Sequence, residues 1–177
     1  LNIVSEKFGD ARRTKITNTL GDEEEPEVIE EKDVAVLRYD NNIKVMEMPL
    51  KKNLKPQEIY YTTNLGSLTL ITDAGKMYNA SLSKLKFGRE YKLNEVFEIG
   101  GEHPRLLIDT LTFNAFKSIT CITRNGLIKK SHIGEYTVRS KKGTATLKLD
   151  DGDSLVAVIL SSDDDDKVVV ISSADYY

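Results

Sequence analysis

From residue 33 onward the chain is built from short runs of β-branched and aliphatic residues, each closed by Gly, Asn or Asp, with Val, Ile, Thr and Tyr prominent. Such runs predict strands punctuated by tight turns. One cassette recurs. Leu68-Thr-Leu-Ile-Thr-Asp-Ala-Gly75-Lys-Met-Tyr78 returns as Ile119-Thr-Cys-Ile-Thr-Arg-Asn-Gly126-Leu-Ile-Lys129, at a constant offset of 51 residues. A weaker copy runs from Val34 to Lys44, and Val168-Val-Val-Ile-Ser-Ser173 opens as a fourth would. Each copy reads as a β-hairpin, with Asn41, Gly75 and Gly126 placed where the turn calls for a positive φ. A single hairpin cannot bury its own face, so several copies must pack together, and a period near 50 residues points to propeller blades or a similar array. The pattern also admits three unrelated hairpins in an ordinary sandwich.

Elsewhere the reading is coarser. Residues 1–20 read as the end of a helix followed by an extended arm, then a linker-like stretch at Gly21–Pro26. Leu147–Leu149, the Asp150–Asp153 turn and Leu155–Leu160 read as strand, turn and buried strand, and Tyr176-Tyr177 falls inside what should be a hairpin. The chain is thus expected to be cut from something longer at both ends. Its division is a linker over residues 1–33 and a strand-rich domain over 34–177 holding about three blades.

At 177 residues and 40% hydrophobic, the chain can bury a sizeable core. No apolar run approaches a membrane span and no signal peptide is visible, so no membrane partner is expected. The lone cysteine, Cys121, lies in a strand-like run and reads as a small buried hydrophobe, and with no disulfide framework a reducing cytoplasm is the expected compartment. The formal charge of -3 hides a segregation. Residues 34–162 carry 19 Lys+Arg against 13 Asp+Glu, whereas Asp22–Asp33 holds eight acidic residues and one lysine, and Asp163–Asp166 is wholly acidic. The acidic runs read as solvated loops, and the mildly basic body permits a polyanionic partner.

Lys7-Phe-Gly-Asp10-Ala-Arg12-Arg13-Thr14 resembles the segment that joins the breakage-reunion core of bacterial type IIA topoisomerase A subunits to their C-terminal domain. Gly126–Lys130, Glu135-Tyr136, Arg139–Gly143 and Leu147–Val156 resemble, in that order, one blade of that domain. Residues 86–115 match poorly. The resemblance implies an all-β β-pinwheel of four-stranded hairpin blades that binds and bends or wraps duplex DNA without reading its sequence, and presents it to a cleavage core. It also implies an A subunit working with an ATPase B subunit in a heterotetramer in the bacterial cytoplasm, at the nucleoid. ATP and Mg would be used elsewhere in that assembly, and the catalytic tyrosine would lie outside this chain, so no catalytic residue and no cofactor are assigned to it. Gyrase carries a basic, glycine-rich box in the loop after its first hairpin. The corresponding Pro49–Pro56 holds three lysines but neither arginine nor glycine. That difference favours a topoisomerase IV type of subunit over gyrase.

The cations that would meet phosphates cluster near or after the hairpins: Lys44, Lys51, Lys52 and Lys55; Lys84, Lys86 and Arg89; Lys129 and Lys130; Arg139, Lys141 and Lys142. Catalytic and metal readings fare poorly. His103 and His132 lack a second ligand at metal spacing, Gly75-Lys76 has Leu70 where a phosphate loop needs glycine, and Asp150, Asp151 and Asp153 read as a turn rather than a calcium loop. Tyr60, Tyr61, Tyr78 and Tyr136 read as blade packing. A second function class stays open: a propeller-like protein-interaction module without DNA binding.

Overall fold

The computed structural model of the protein describes residues 30–136, 143–163 and 166–169. The expected linker, apart from its last residues, and most of the fourth cassette copy lie outside these residues. The three remaining cassettes each fold as a hairpin: β1 (Asp33–Tyr39) with β2 (Asn42–Glu47), β4 (Ser67–Thr72) with β5 (Lys76–Ser81), and β8 (Ser118–Thr123) with β9 (Ile128–His132). Gly75 and Gly126 take the expected left-handed φ, +66° and +87°. In the first hairpin the positive φ falls on Asp40 (+53°) instead of Asn41. A short polar Asp tolerates this conformation better than most residues, and Asp40 N–H is held by Gln57 Oε1 at 2.9 Å.

Each hairpin gains a third strand beside its first: β3 (Glu58–Thr63) on β1, β7 (Pro104–Asp109) on β4, and β11 (Leu155–Ser161) on β8, all antiparallel. The fourth strand comes from further along the chain. After the β4–β5 hairpin the chain returns to the first sheet as β6 (Glu90–Lys92), which pairs with β2. After the β8–β9 hairpin it returns to the second sheet as β10 (Thr144–Ala145), which pairs with β5. Strand order is therefore β3-β1-β2-β6, then β10-β5-β4-β7, then β11-β8-β9 among the described residues. This is the all-β pinwheel, blades of hairpins stitched together by exchanged strands. The exchange went unpredicted from the sequence, and so did two short helices, α1 (Leu93–Phe97) and α2 (Thr110–Ala115), that fill the connections.

Two apolar layers hold successive blades together within the compact unit that begins at Glu31. Val34, Val36, Ile43 and Val45 of the first sheet meet Leu68, Leu70, Leu82, Phe97 and Leu107 of the second. Ile71 and Met77, on the other face of the second sheet, meet Ile119, Cys121, Ile133 and Leu155 of the third. A blade covered on both faces buries both sides of its strands, which is why β4 and β8 are buried along nearly their whole length, threonines as well as aliphatics. Each fully buried aliphatic side chain here contributes about 1.5–3 kcal/mol by leaving water.

Two further expectations are corrected, and one is met. Leu147–Leu149 forms no strand and no hairpin with β11: Thr146 N–H and Oγ1 both donate to Gly75 O, at 2.8 and 2.9 Å, and so tie this segment to the neighbouring blade's turn. Leu147 and Leu149 pack into the second apolar layer instead. Tyr61 does not pack between blades and is 63% exposed, since it sits on the outer face of β3 while Tyr60 faces the core. The Asp150–Asp153 turn is present, closed by Asp153 N–H donating to Asp150 O at 3.0 Å.

Candidate nucleic-acid interface

Because every pairing is antiparallel, each connection can be assigned to one end of the blades. The hairpin turns lie at one end, and the second hairpin strand carries the chain to the other. There the 3-10 helices η1 (Leu82–Lys84) and η2 (Ile133–Glu135) begin the post-hairpin connections, capped by Ser81 Oγ and His132 Nδ1, which accept from Ser83 N–H and Gly134 N–H. The exchanged strands β6 and β10 then run back to the hairpin-turn end. Leu93 N–H donates to Asn41 O there at 2.8 Å, as Thr146 N–H does to Gly75 O.

Charge follows this path. The post-hairpin connections Met48–Gln57 and Leu82–Arg89 contain Lys51, Lys52, Lys55, Lys84, Lys86 and Arg89 and no acidic residue. The connections that follow the exchanged strands contain Glu95, Glu98 and Glu102 in one blade and Asp150, Asp151 and Asp153 in the next, with Lys148 as their one basic side chain. The exchanged strands therefore separate a cationic connection from an acidic one in sequence, although Glu95 and Glu98 line one pocket with Lys84, and Asp163 lies beside Lys117 at the post-hairpin end.

The Lys84–Arg89 stretch is tied to the first blade and to Tyr91. Gly88, at φ +75°, donates its N–H to Val45 O at 2.8 Å, and Lys86 N–H donates to Tyr91 Oη at 2.9 Å. The Arg89 guanidinium lies 4.9 Å from the centre of the Tyr91 ring, a cation–π contact that limits its rotamers. Lys51 and Lys52 are exposed in the corresponding loop of the first blade. Lys55 is carried toward the hairpin-turn end, because Gln57 N–H bonds Arg38 O at 2.9 Å. Lys44 lies within β2 opposite Leu37 and Glu90. Lys129 and Lys130 lie within β9, with Nζ of Lys129 donating to Thr146 O at 3.3 Å and Nζ of Lys130 to Asp166 O at 3.4 Å. Arg139, Lys141 and Lys142 lie outside the described residues. Lys117, which the sequence reading passed over, also reaches the post-hairpin end, 4.0 Å from Asp163.

Polar clusters elsewhere organise the fold. The Glu102 carboxylate accepts from Lys76 Nζ at 2.7 Å, Thr72 Oγ1 at 2.6 Å and Tyr78 Oη at 3.0 Å. Burial pushes its pKa up, but these donors outweigh burial and hold it below the usual carboxylate value. Arg38 pairs with Glu58 at 2.7 Å and Tyr60 Oη donates to the same carboxylate, with burial first and then this bond raising the phenol's pKa. Cys121 is buried and burial pushes its thiol up, as a structural cysteine requires. Among the described residues no group of three His, Cys, Asp or Glu side chains is placed to hold a metal. No helix among them is long and apolar enough to cross a membrane.

The family model for the DNA gyrase C-terminal domain, a beta-propeller, matches residues 117–162, which is the third blade from β8 through β11. Gyrase A subunits of Clostridium acetobutylicum and Fibrobacter succinogenes are 26% and 25% identical over 89% and 90% of the chain. The crystal structure of the C-terminal domain of DNA topoisomerase IV superposes with a TM-score of 0.62 at 17% identity, over 76% of this chain and 47% of that one. In sequence the chain is similar to DNA gyrase A subunits, and in fold to the C-terminal domain of DNA topoisomerase IV. It spans about a fifth of the length of those two gyrase relatives, 22% and 20%. The 86–115 region, where sequence resemblance faded, is the stretch that holds β6, α1, β7 and α2.

Proposed function

We propose that this domain binds duplex DNA without sequence preference along the end of the blades that carries the post-hairpin loops, and bends it there. The observation that carries the reading is the recurrence of post-hairpin connections, Met48–Gln57 and Leu82–Arg89, whose charged residues are all cations. Lysine and arginine at that end neutralise phosphates and release counterions, which positions a duplex without reading bases. Lys51, Lys52, Lys84, Lys86 and Arg89 form its described part, with Arg139, Lys141 and Lys142 assigned to the same loop of the third blade. Lys44, Lys55, Lys129 and Lys130 extend the field around it.

In the whole protein the bent segment would pass to the cleavage core of the A subunit, acting with an ATP-hydrolysing, Mg-dependent B subunit in the bacterial cytoplasm. The finer reading is bending of the topoisomerase IV kind rather than chiral wrapping, because the first-blade loop lacks the arginines and glycines that let a backbone follow DNA closely. The curated relatives named above are gyrases, so supercoiling by the full-length protein is the other outcome to test. Binding to 40-base-pair duplexes of unrelated sequence across a salt series tests the reading. Affinity should fall steeply with salt and vary little with sequence. Salt-independent or absent binding would favour an interaction module, a reading to which the exposed apolar side chains Ile128 and Ile159 of the third sheet lend support.

A further inference from the structure

Phe87 stands apart from the other exposed apolar side chains of the domain. It is 41% exposed and lies in a turn between cations, Lys84 and Lys86 on one side and Arg89 on the other. The turn is closed by Arg89 N–H donating to Lys86 O at 3.4 Å, so Phe87 and Gly88 are its two central residues. The +75° φ of Gly88 and the bonds from Gly88 N–H to Val45 O and from Lys86 N–H to Tyr91 Oη fix that turn against the first blade. Met48, Leu65 and Leu111, exposed at the same end, have no cation beside them in sequence. The first-blade loop repeats the plan more weakly, with Leu54 exposed next to Asn53 at φ +87° and between Lys52 and Lys55.

A rigid apolar tip flanked by phosphate-binding cations is the arrangement by which proteins wedge open a base step and kink a duplex. A flexible tip would fold its ring back onto the protein, but the hydrogen bonds at both ends of this turn oppose that. We infer that Phe87 is a DNA wedge, inserting between adjacent base pairs while Lys84, Lys86 and Arg89 hold the flanking phosphates. The inference rests on the DNA-binding reading and adds to it a mechanism for bending. A wedge works best where stacking is weakest, so kinks should settle at pyrimidine–purine steps even though no base edge is read.

The test uses the whole chain with a duplex carrying 2-aminopurine at a central TA step and fluorophores at its ends. Unmodified protein should brighten the 2-aminopurine and shorten the end-to-end distance. Phe87→Ala should lose most of both signals while affinity falls less than about ten-fold, and Phe87→Leu should keep part of each. Val156→Ala, at a site 41% exposed on β11 and away from this loop, should change neither. Binding without brightening in the unmodified protein, or brightening that persists in Phe87→Ala, would overturn the wedge and leave the DNA-binding reading intact. Absence of salt-dependent binding would overturn both.

Discussion

Two consecutive stretches of the second blade teach the most when set side by side. Leu82–Arg89 carries only cations and begins at the post-hairpin end; Leu93–His103 carries only carboxylates and is tied at its two ends to hairpin turns, by Leu93 N–H donating to Asn41 O and Asp73 N–H donating to His103 O, while its helix lines a pocket with Lys84. Eleven residues separate the first position of one from the first position of the other, and what keeps them apart is the exchanged strand β6 between them. The third blade runs through the corresponding elements, Gly143, β10 and the Asp150–Asp153 turn, with Glu135 in its post-hairpin connection and Lys148 in the one that follows β10. The exchanged strands do two jobs: they complete the neighbouring sheet, and they separate a cationic connection from an acidic one.

The comparison can be broken most forcefully at the cations. Reversing Lys84, Lys86 and Arg89 to Glu should weaken binding to a duplex by more than about 100-fold at low salt, measured by fluorescence anisotropy, because three phosphate contacts become repulsions. It can be broken next at the crossing itself. A side chain at Gly143, whose φ is +82°, would place its Cβ 2.8 Å from the Tyr78 ring. Gly143→Val should cost about 2–4 kcal/mol in urea denaturation, from backbone strain and the clash, and should detach β10 from β5.

At the carboxylates the expected effects are smaller. Glu102 is held by three donors, one of them the half-exposed Lys76, so Glu102→Ala should cost about 1–2 kcal/mol at neutral pH. Its folded pKa lies below the ordinary value of 4.5. The stability it contributes is therefore complete above that value and is lost as pH falls through the lowered one. The variant should flatten the acid limb of the stability profile below about pH 4.5 and leave the neutral region parallel to the parent. Smallest of all, Glu95→Gln with Glu98→Gln, exposed carboxylates that line one pocket with Lys84, should change DNA affinity by less than about three-fold, since exposed charges are screened by salt.

The hairpins were legible because a two-sided apolar run followed by glycine leaves few alternatives. Leu68–Gly75 and Ile119–Gly126 folded as read, and Cys121 is buried as expected. The exchanged strands were not legible for a physical reason. β6 and β10 are three and two residues long, and their partners belong to the preceding blade, so neither length nor local alternation announces them. A signal was nonetheless present: Lys86-Phe-Gly88 and Lys141-Lys-Gly143 each place a lysine two residues before a glycine that leads into the exchanged strand. Leu147–Leu149 misled because alternating leucines suit a strand face and also suit a loop that dips two side chains into a core. For the interface, residue type found the cations, but only the topology shows that Lys51, Lys52, Lys84, Lys86 and Arg89 belong to one kind of connection while Lys44, Lys129 and Lys130 sit within strands. Phe87 stayed hidden because an aromatic in a basic stretch reads as core until its exposure is known.

The most direct test of the account is the salt dependence of duplex binding for the parent and two variants. One variant replaces Lys51, Lys52, Lys84, Lys86 and Arg89 with Ala; the other replaces Glu95, Glu98, Asp150 and Asp151 with Gln or Asn. The account expects the slope of log affinity against log salt to shrink by about 3–5 in the first and by less than about 1 in the second. Equal slopes in all three proteins would contradict it, because the cationic connections would then have no part in holding DNA.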